Sequence, residues 1–369
     1  MNESIPHINR QSNFELLRIL AIASVVVSHV SWHGFSTPSH AYSYIDGIVN
    51  RVILQCLNIG SLGVDIFIMI SGYFLIKSSK GIDLKKIMNL IAIVWFYSVM
   101  IYLILGPGIS GGWSNILHAI LPITYGSNWF ITVYIITYLL SPYINKSLMF
   151  CDEKVKRKKI FLILIGTMLF FWSFTHTFFM TECFASDVPI FLMLYIIGGY
   201  LRLYGQEYST RRLITCFTVL CLIWILLPIL ANLSGILYAQ EHITYFYAKN
   251  SLLTISISAV CVLLFSKLRI TSAWINRIAK YAFPIYLISD NYWVRIWIYS
   301  DVLKCRDFSN SQMLLFIILV DSLIIVLSCI VIDCMRTKIL AHYGVKFILV
   351  KKTYIYLDEL SIKINKLFW

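Results

Sequence analysis

The stretch FELLRILAIASVVVSH, residues 14–29, holds Glu15, Arg18 and His29 in an otherwise apolar run. A guanidinium can hold an anion, and an imidazole can exchange a proton near neutral pH. On a helix of about 100° per residue, with Glu15 at 0°, Arg18 falls at about 300° and His29 at about 320°. The three therefore share a sector of about 60°. The rise of about 1.5 Å per residue sets His29 about 16 Å beyond Arg18 along the same face. Charged side chains cost several kcal/mol in lipid, so those that persist in a span face a protein interior or a wet cavity. The spacing predicts a polar stripe with an acid–base pair at one end and an imidazole at the other. The simpler alternative is a juxtamembrane i,i+3 ion pair together with an interhelical histidine hydrogen bond.

The elements that must position this stripe are helices in a bilayer. Of 369 residues, 59% are hydrophobic and 13% are charged, and mean hydropathy is +0.77. Apolar runs of about 20 residues recur, long enough to span a membrane. The sequence predicts an all-α polytopic membrane protein with about ten spans, near 14–32, 52–76, 87–106, 128–145, 159–176, 188–203, 213–233, 249–266, 280–300 and 311–334. The net charge of +13 could suggest nucleic acid, but the cations sit in short loops between apolar runs. With both termini in the cytoplasm, the inside segments hold 25 Lys and Arg, and the outside segments hold only Arg51, Lys249, Lys304 and Arg306. That asymmetry predicts the N-in, C-in orientation.

Three parts follow. Residues 1–13 form a cytoplasmic N-terminal segment, 14–334 a ten-helix membrane domain, and 335–369 a basic tail that could lie on the inner membrane surface. No cleaved leader is expected, because no small-residue cleavage site follows the first apolar run. The nine cysteines show no CxxC and no paired spacing, so free and mostly buried thiols are expected. Ser71 with Gly72 reads as close helix packing rather than as a nucleophile. No metal-ligand cluster and no glycine-rich phosphate loop stands out.

Four blocks in order carry a family resemblance. They are Arg18 and His29 in FELLRILAIASVVVSH, GSLGVDIFIMISGYFL at 60–75, NWFITVYIITYLLSPYIN at 128–145, and AFPIYLISDNYWVRIW at 282–297. Together they resemble acyltransferase family 3, the integral membrane acyltransferases of bacteria. The chain departs from that pattern in two places. Ser289 stands where the family's late block commonly has histidine, and Lys85 and Lys86 stand where the loop after helix 2 often carries arginines.

The resemblance implies transfer of an acyl group, usually acetyl, from acyl-CoA to a sugar hydroxyl. Acetyl-CoA is then a co-substrate, and no metal is expected. The acceptor would be a cell-surface polysaccharide or its lipid-linked precursor, at the bacterial cytoplasmic membrane. On that reading Arg18, oriented by Glu15 and helped by Lys85 and Lys86, holds the donor phosphates. The pantetheine arm runs along helix 1 and presents its thioester near His29. His29 is either the general base or the acyl carrier. A carboxylate would fix the imidazole tautomer; Asp65 and Asp290 are the candidates, with Asp65 narrowly preferred. Asp65 has a structural alternative, as a helix-break residue satisfied by backbone amides.

Trp129 could stack on a sugar ring or serve as an interfacial anchor. Asp290, Asn291 and Arg295 could line the cavity or form a local ion pair, and Ser71 is a further lining residue. Partners are thus acyl-CoA, a glycan acceptor and membrane lipid, with no nucleic acid. The rival functions are a transporter or flippase of glycan precursors and a non-catalytic partner of a glycan synthase.

Overall fold

The computed structural model describes residues 11–36, 42, 45, 47–78, 81–106, 112–179, 187–342 and 351–368. Among these residues there are helices and no strands. The α-helices are α1 (Ser12–Phe35), α2 (Ile48–Cys56), α3 (Gly60–Leu75), α4 (Leu84–Leu105), α5 (Gly112–Ile120), α6 (Trp129–Met149), α7 (Lys154–Leu169), α8 (Thr175–Phe179), α9 (Asp187–Tyr204), α10 (Thr210–Leu233), α11 (Leu237–His242), α12 (Leu252–Lys267), α13 (Ala273–Ile278), α14 (Ala282–Ser289), α15 (Tyr292–Trp297), α16 (Leu314–His342) and α17 (Lys351–Phe368). Side-chain caps start several of them. Ser209, Ser251 and Ser272 each accept a hydrogen bond from the backbone N–H three residues on, which satisfies donors that a helix start leaves open.

Eight described segments are long and apolar enough to cross a membrane, so the chain is a multi-pass membrane protein. The two expected spans outside that set explain themselves. α6 is a 21-residue helix, but Tyr134, Tyr138, Ser141, Tyr143 and Asn145 dilute its apolar character. The expected span at 280–300 is not one helix. It breaks at Asp290 and Asn291 into α14 and α15, followed by a π-turn over Ile298–Val302. The second expected span likewise has two pieces, α2 and α3, separated at Leu57–Ile59.

α1 sits at the centre. Its buried side chains divide between two cores. Phe14, Leu17 and Ala21 join a cluster with α3, α9 and α12. Ile22, Val25, Val26 and Val30 join a cluster with α4, α14 and α16. Small residues set the closest helix approaches. A Cβ on Gly72 would run into the Tyr195 carbonyl, and one on Gly198 into the Met69 carbonyl. α3 and α9 therefore meet backbone to backbone, which dispersion between tightly packed helices rewards in a bilayer. Gly63 does the same for α3 against the Ala21 carbonyl of α1.

The tail does not simply trail away. Although residues 343–350 lie outside the described part, α17 docks on the start of α4. Asn365 Oδ1 accepts from the Ile82 N–H at 2.9 Å, and its Nδ2 donates to the Ile82 carbonyl at 3.2 Å. Ser361 Oγ accepts from the Leu84 N–H at 3.2 Å.

Candidate active site

A cavity of about 440 Å³ runs along one face of α1. Glu15, Arg18, Ile22, Val25 and His29 all line it, with Lys280 beside the Arg18 end and Asp290 beside the His29 end. The helical stripe read from the sequence is therefore a cavity wall. It lies on the seam between the two cores, walled opposite by Phe67, Ser71, Phe130, Tyr134 and Tyr286.

At the Arg18 end, Glu15 is buried and accepts from Arg18 Nη1 at 2.6 Å. A buried carboxylate holding a partly exposed guanidinium fixes where the fork points. Lys280 is a second cation at this end, and nothing in its sequence position in a basic loop marked it out. Lys85 and Lys86 do not reach the cavity. Lys85 pairs with Asp358 of α17, and Lys86 pairs with Asp83 at 3.5 Å. Where Arg18 faces the cavity, these two lysines face the docked tail and the local N-cap residue.

At the other end, His29 Nε2 lies 3.6 Å from Asp290 Oδ1. That is an electrostatic contact, longer than a hydrogen bond. His29 Nδ1 is buried with no hydrogen-bond partner among the described residues. Asp290 occupies the break between α14 and α15, where its backbone N–H still donates to the Tyr286 carbonyl at 3.0 Å. Irregular backbone at membrane depth is tolerated where it lines a cavity. Of the two carboxylates weighed from the sequence, Asp290 is the one beside His29. Asp65 is fully buried on α3, lines neither this cavity nor the next, and has both carboxylate oxygens unpartnered among the described residues. The broken helix is thus at Asp290 rather than at Asp65, inside an unbroken α3.

Asp290 belongs to a larger cluster. Arg295 Nη1 lies 3.6 Å from Asp290 Oδ1 and 3.3 Å from His33 Nε2. The His29 and His33 rings are 5.2 Å apart. His33 follows His29 by four residues on α1, so helical spacing could have found it. His29, His33 and Asp290 could each offer an atom to a cation, but the Arg295 guanidinium already faces two of the three. Asn291 lines neither cavity. Its side chain accepts from the Trp293 N–H at 3.1 Å and so caps α15.

A second cavity, of about 350 Å³, lies beyond His29 and Asp290 and shares both residues with the first. Ser28, Trp32, Asn58, Ser61, Trp129 and Thr244 give it a wall of indoles and small polar groups. Trp129 lines both cavities, and Lys249 Nζ sits 4.2 Å from its ring centroid. Ser71 lines the first cavity, with its hydroxyl donating to the Phe67 carbonyl at 3.0 Å, and Gly72 beside it makes the close packing.

The site therefore joins a cavity with cations at one end to a polar, indole-walled cavity at the other, with an imidazole at the junction. A family model described as an acyltransferase domain matches residues 11–333. No curated protein and no solved structure matches the chain.

Proposed function

The chain belongs to acyltransferase family 3, and from that premise we propose that it moves an acyl group, acetyl by preference, from cytoplasmic acyl-CoA to a hydroxyl of a cell-surface polysaccharide or its lipid-linked precursor. The observation that carries this reading is the single cavity shared by Arg18 and His29.

In this account the CoA phosphates sit at the Arg18 end, where Arg18 and Lys280 face the cavity. A charge-assisted guanidinium–phosphate pair is the stronger kind of hydrogen bond. The pantetheine arm follows Ile22 and Val25 and brings the thioester carbonyl to His29. The acceptor sugar enters from the second cavity, where Trp32 and Trp129 offer ring faces for its C–H surface.

Two sequences of bond changes fit the junction. In the first, His29 takes the hydroxyl proton as the oxygen attacks the thioester carbonyl. The C–S bond then breaks, and the CoA thiolate takes that proton from the imidazolium. In the second, a His29 nitrogen attacks the carbonyl first and the C–S bond breaks, the departing thiolate taking the proton from the other ring nitrogen. The hydroxyl oxygen then attacks the acyl-imidazole, the C–N bond breaks, and the hydroxyl proton passes to the freed imidazole. In both, Asp290 is a positioning residue that favours the cationic imidazole.

The broken α14–α15 segment would also suit a carrier of glycan precursors, since discontinuous helices line transport sites. Transfer by purified protein separates the readings. Labelled acetyl-CoA and a glycan fraction from cells lacking the gene should yield labelled glycan with the parent protein and none with His29→Ala. No labelled glycan with the parent protein would count against transfer.

A further inference from the structure

The end of α1 away from Arg18 opens on a third cavity, of about 770 Å³. His33, Arg295, Lys304 and Arg306 line it, against one carboxylate, Asp307. His33 and Arg295 also line the indole-walled cavity, so the two spaces adjoin through this pair.

The location is unusual for cations. Lys304 and Arg306 are two of only four Lys and Arg that the charge pattern leaves in outside segments. Positive charge is generally depleted on that side. Neither forms an ion pair among the described residues, and both are exposed. Lys304 is also the one described non-glycine residue with positive φ, at 47°. A lysine held in the left-handed region carries a local cost that its surroundings must maintain. Here it turns the chain into the short 3-10 helix Cys305–Phe308, and Cys305 Sγ packs where a Cβ on Gly34 of α1 would fall. The turn is thus anchored to the same helix that carries His29. A basin with this charge is tuned for anions.

We propose that this basin binds an anionic group of the acceptor glycan, a phosphate or a carboxylate carried near the hydroxyl that is acylated. The inference rests on the transfer reading above and adds the chemical class of the acceptor. Neutral sugar would fill the indole-walled cavity in either case. The anion would sit beyond it, on Arg295, Lys304 and Arg306, and would set which glycan enters and in which direction.

The test uses full-length purified protein in detergent, labelled acetyl-CoA, and glycan from cells lacking the gene, split on an anion-exchange column. Label should enter the retained fraction. Removing phosphates with hydrofluoric acid, or reducing carboxylates after carbodiimide activation, should abolish acceptance in one arm and so identify the source of the charge. Lys304→Gly with Arg306→Ala should raise the acceptor KM by roughly tenfold at low salt, with the effect shrinking as salt rises. Glycine suits the positive φ, so that variant keeps the turn. The donor KM should stay at the parent value. Label in the unretained fraction would overturn the inference while leaving transfer intact, as would acceptance that survives both treatments or an unchanged acceptor KM. No label in any fraction with the parent protein would overturn the transfer reading, and this inference with it.

Discussion

Asp290 stands in the break between α14 and α15 with its Oδ1 3.6 Å from His29 Nε2. The contact joins a helix near the start of the chain to a broken one near its end. It also brings Arg295 within 3.6 Å of the same carboxylate oxygen. His29 thus has a compensating anion on one side and the next cation held beyond it.

His29→Ala should leave insertion and folding intact and abolish transfer. Loss of proton transfer alone costs about 10²–10⁴ in rate. Turnover measured on monodisperse protein checks this, and a rate near that of the parent would rule out either role for His29.

Asp290→Asn should lower kcat by about tenfold, a fraction of the ~10²–10⁴ that proton transfer supplies, with the donor KM nearly unchanged. Asp290→Glu should recover part of the loss. By contrast, Asp65→Asn should keep turnover near the parent value and leave thermal stability equal or higher, because the amide has the carboxyl's shape and no side-chain hydrogen bond among the described residues is lost. If Asp65→Asn is inactive while Asp290→Asn is not, the carboxylate assignment must be exchanged.

Gly72→Ala should destabilise the protein by about 1–3 kcal/mol, since overpacking forces backbone shifts and here the added Cβ meets the Tyr195 carbonyl. Gly166→Ala is the control. It lies inside α7 with nothing within 4 Å, and should be neutral or stabilising by about 0.5–1 kcal/mol. Thermal unfolding of the two variants in the same detergent compares them directly.

The orientation can be read by thiol labelling in a cysteine-free background. Cysteine placed at Ser114, which is exposed, should react with an impermeant reagent from outside. Cys151 restored alone should not. Labelling of Cys151 from outside would overturn the N-in arrangement.

Much of the candidate site's geometry was legible in the sequence because one regular helix carries it. Glu15, Arg18 and His29 lie on α1, which is unbroken from Ser12 to Phe35, so a helical wheel was enough to predict a shared face. Residues whose role depends on contacts between distant segments were not legible. Choosing Asp290 over Asp65 requires knowing where a helix breaks, and both aspartates sit in apolar runs. The ion pair of Lys85 was not legible because its partner, Asp358, lies at the far end of the chain. Asn291 read as a lining residue, yet its side chain caps α15. His33 was missed because it falls at the end of the first apolar run, where a histidine looks interfacial.

In the proposed reaction α1 carries the donor along one face, phosphates at Arg18 and thioester at His29. Calorimetric titration of purified protein with acetyl-CoA at fixed salt tests it most directly. Arg18→Ala should weaken binding by about ten- to a hundredfold, the scale of a lost hydrogen bond to a charged group of about 1.5–3 kcal/mol. Arg18→Lys should fall between that variant and the parent, since it keeps charge without the fork. Lys86→Ala and Trp32→Ala, whose side chains do not line the donor cavity, should bind as the parent does. Parent-like affinity in Arg18→Ala would contradict the account and leave the Glu15–Arg18 pair as a structural link at the end of the helix.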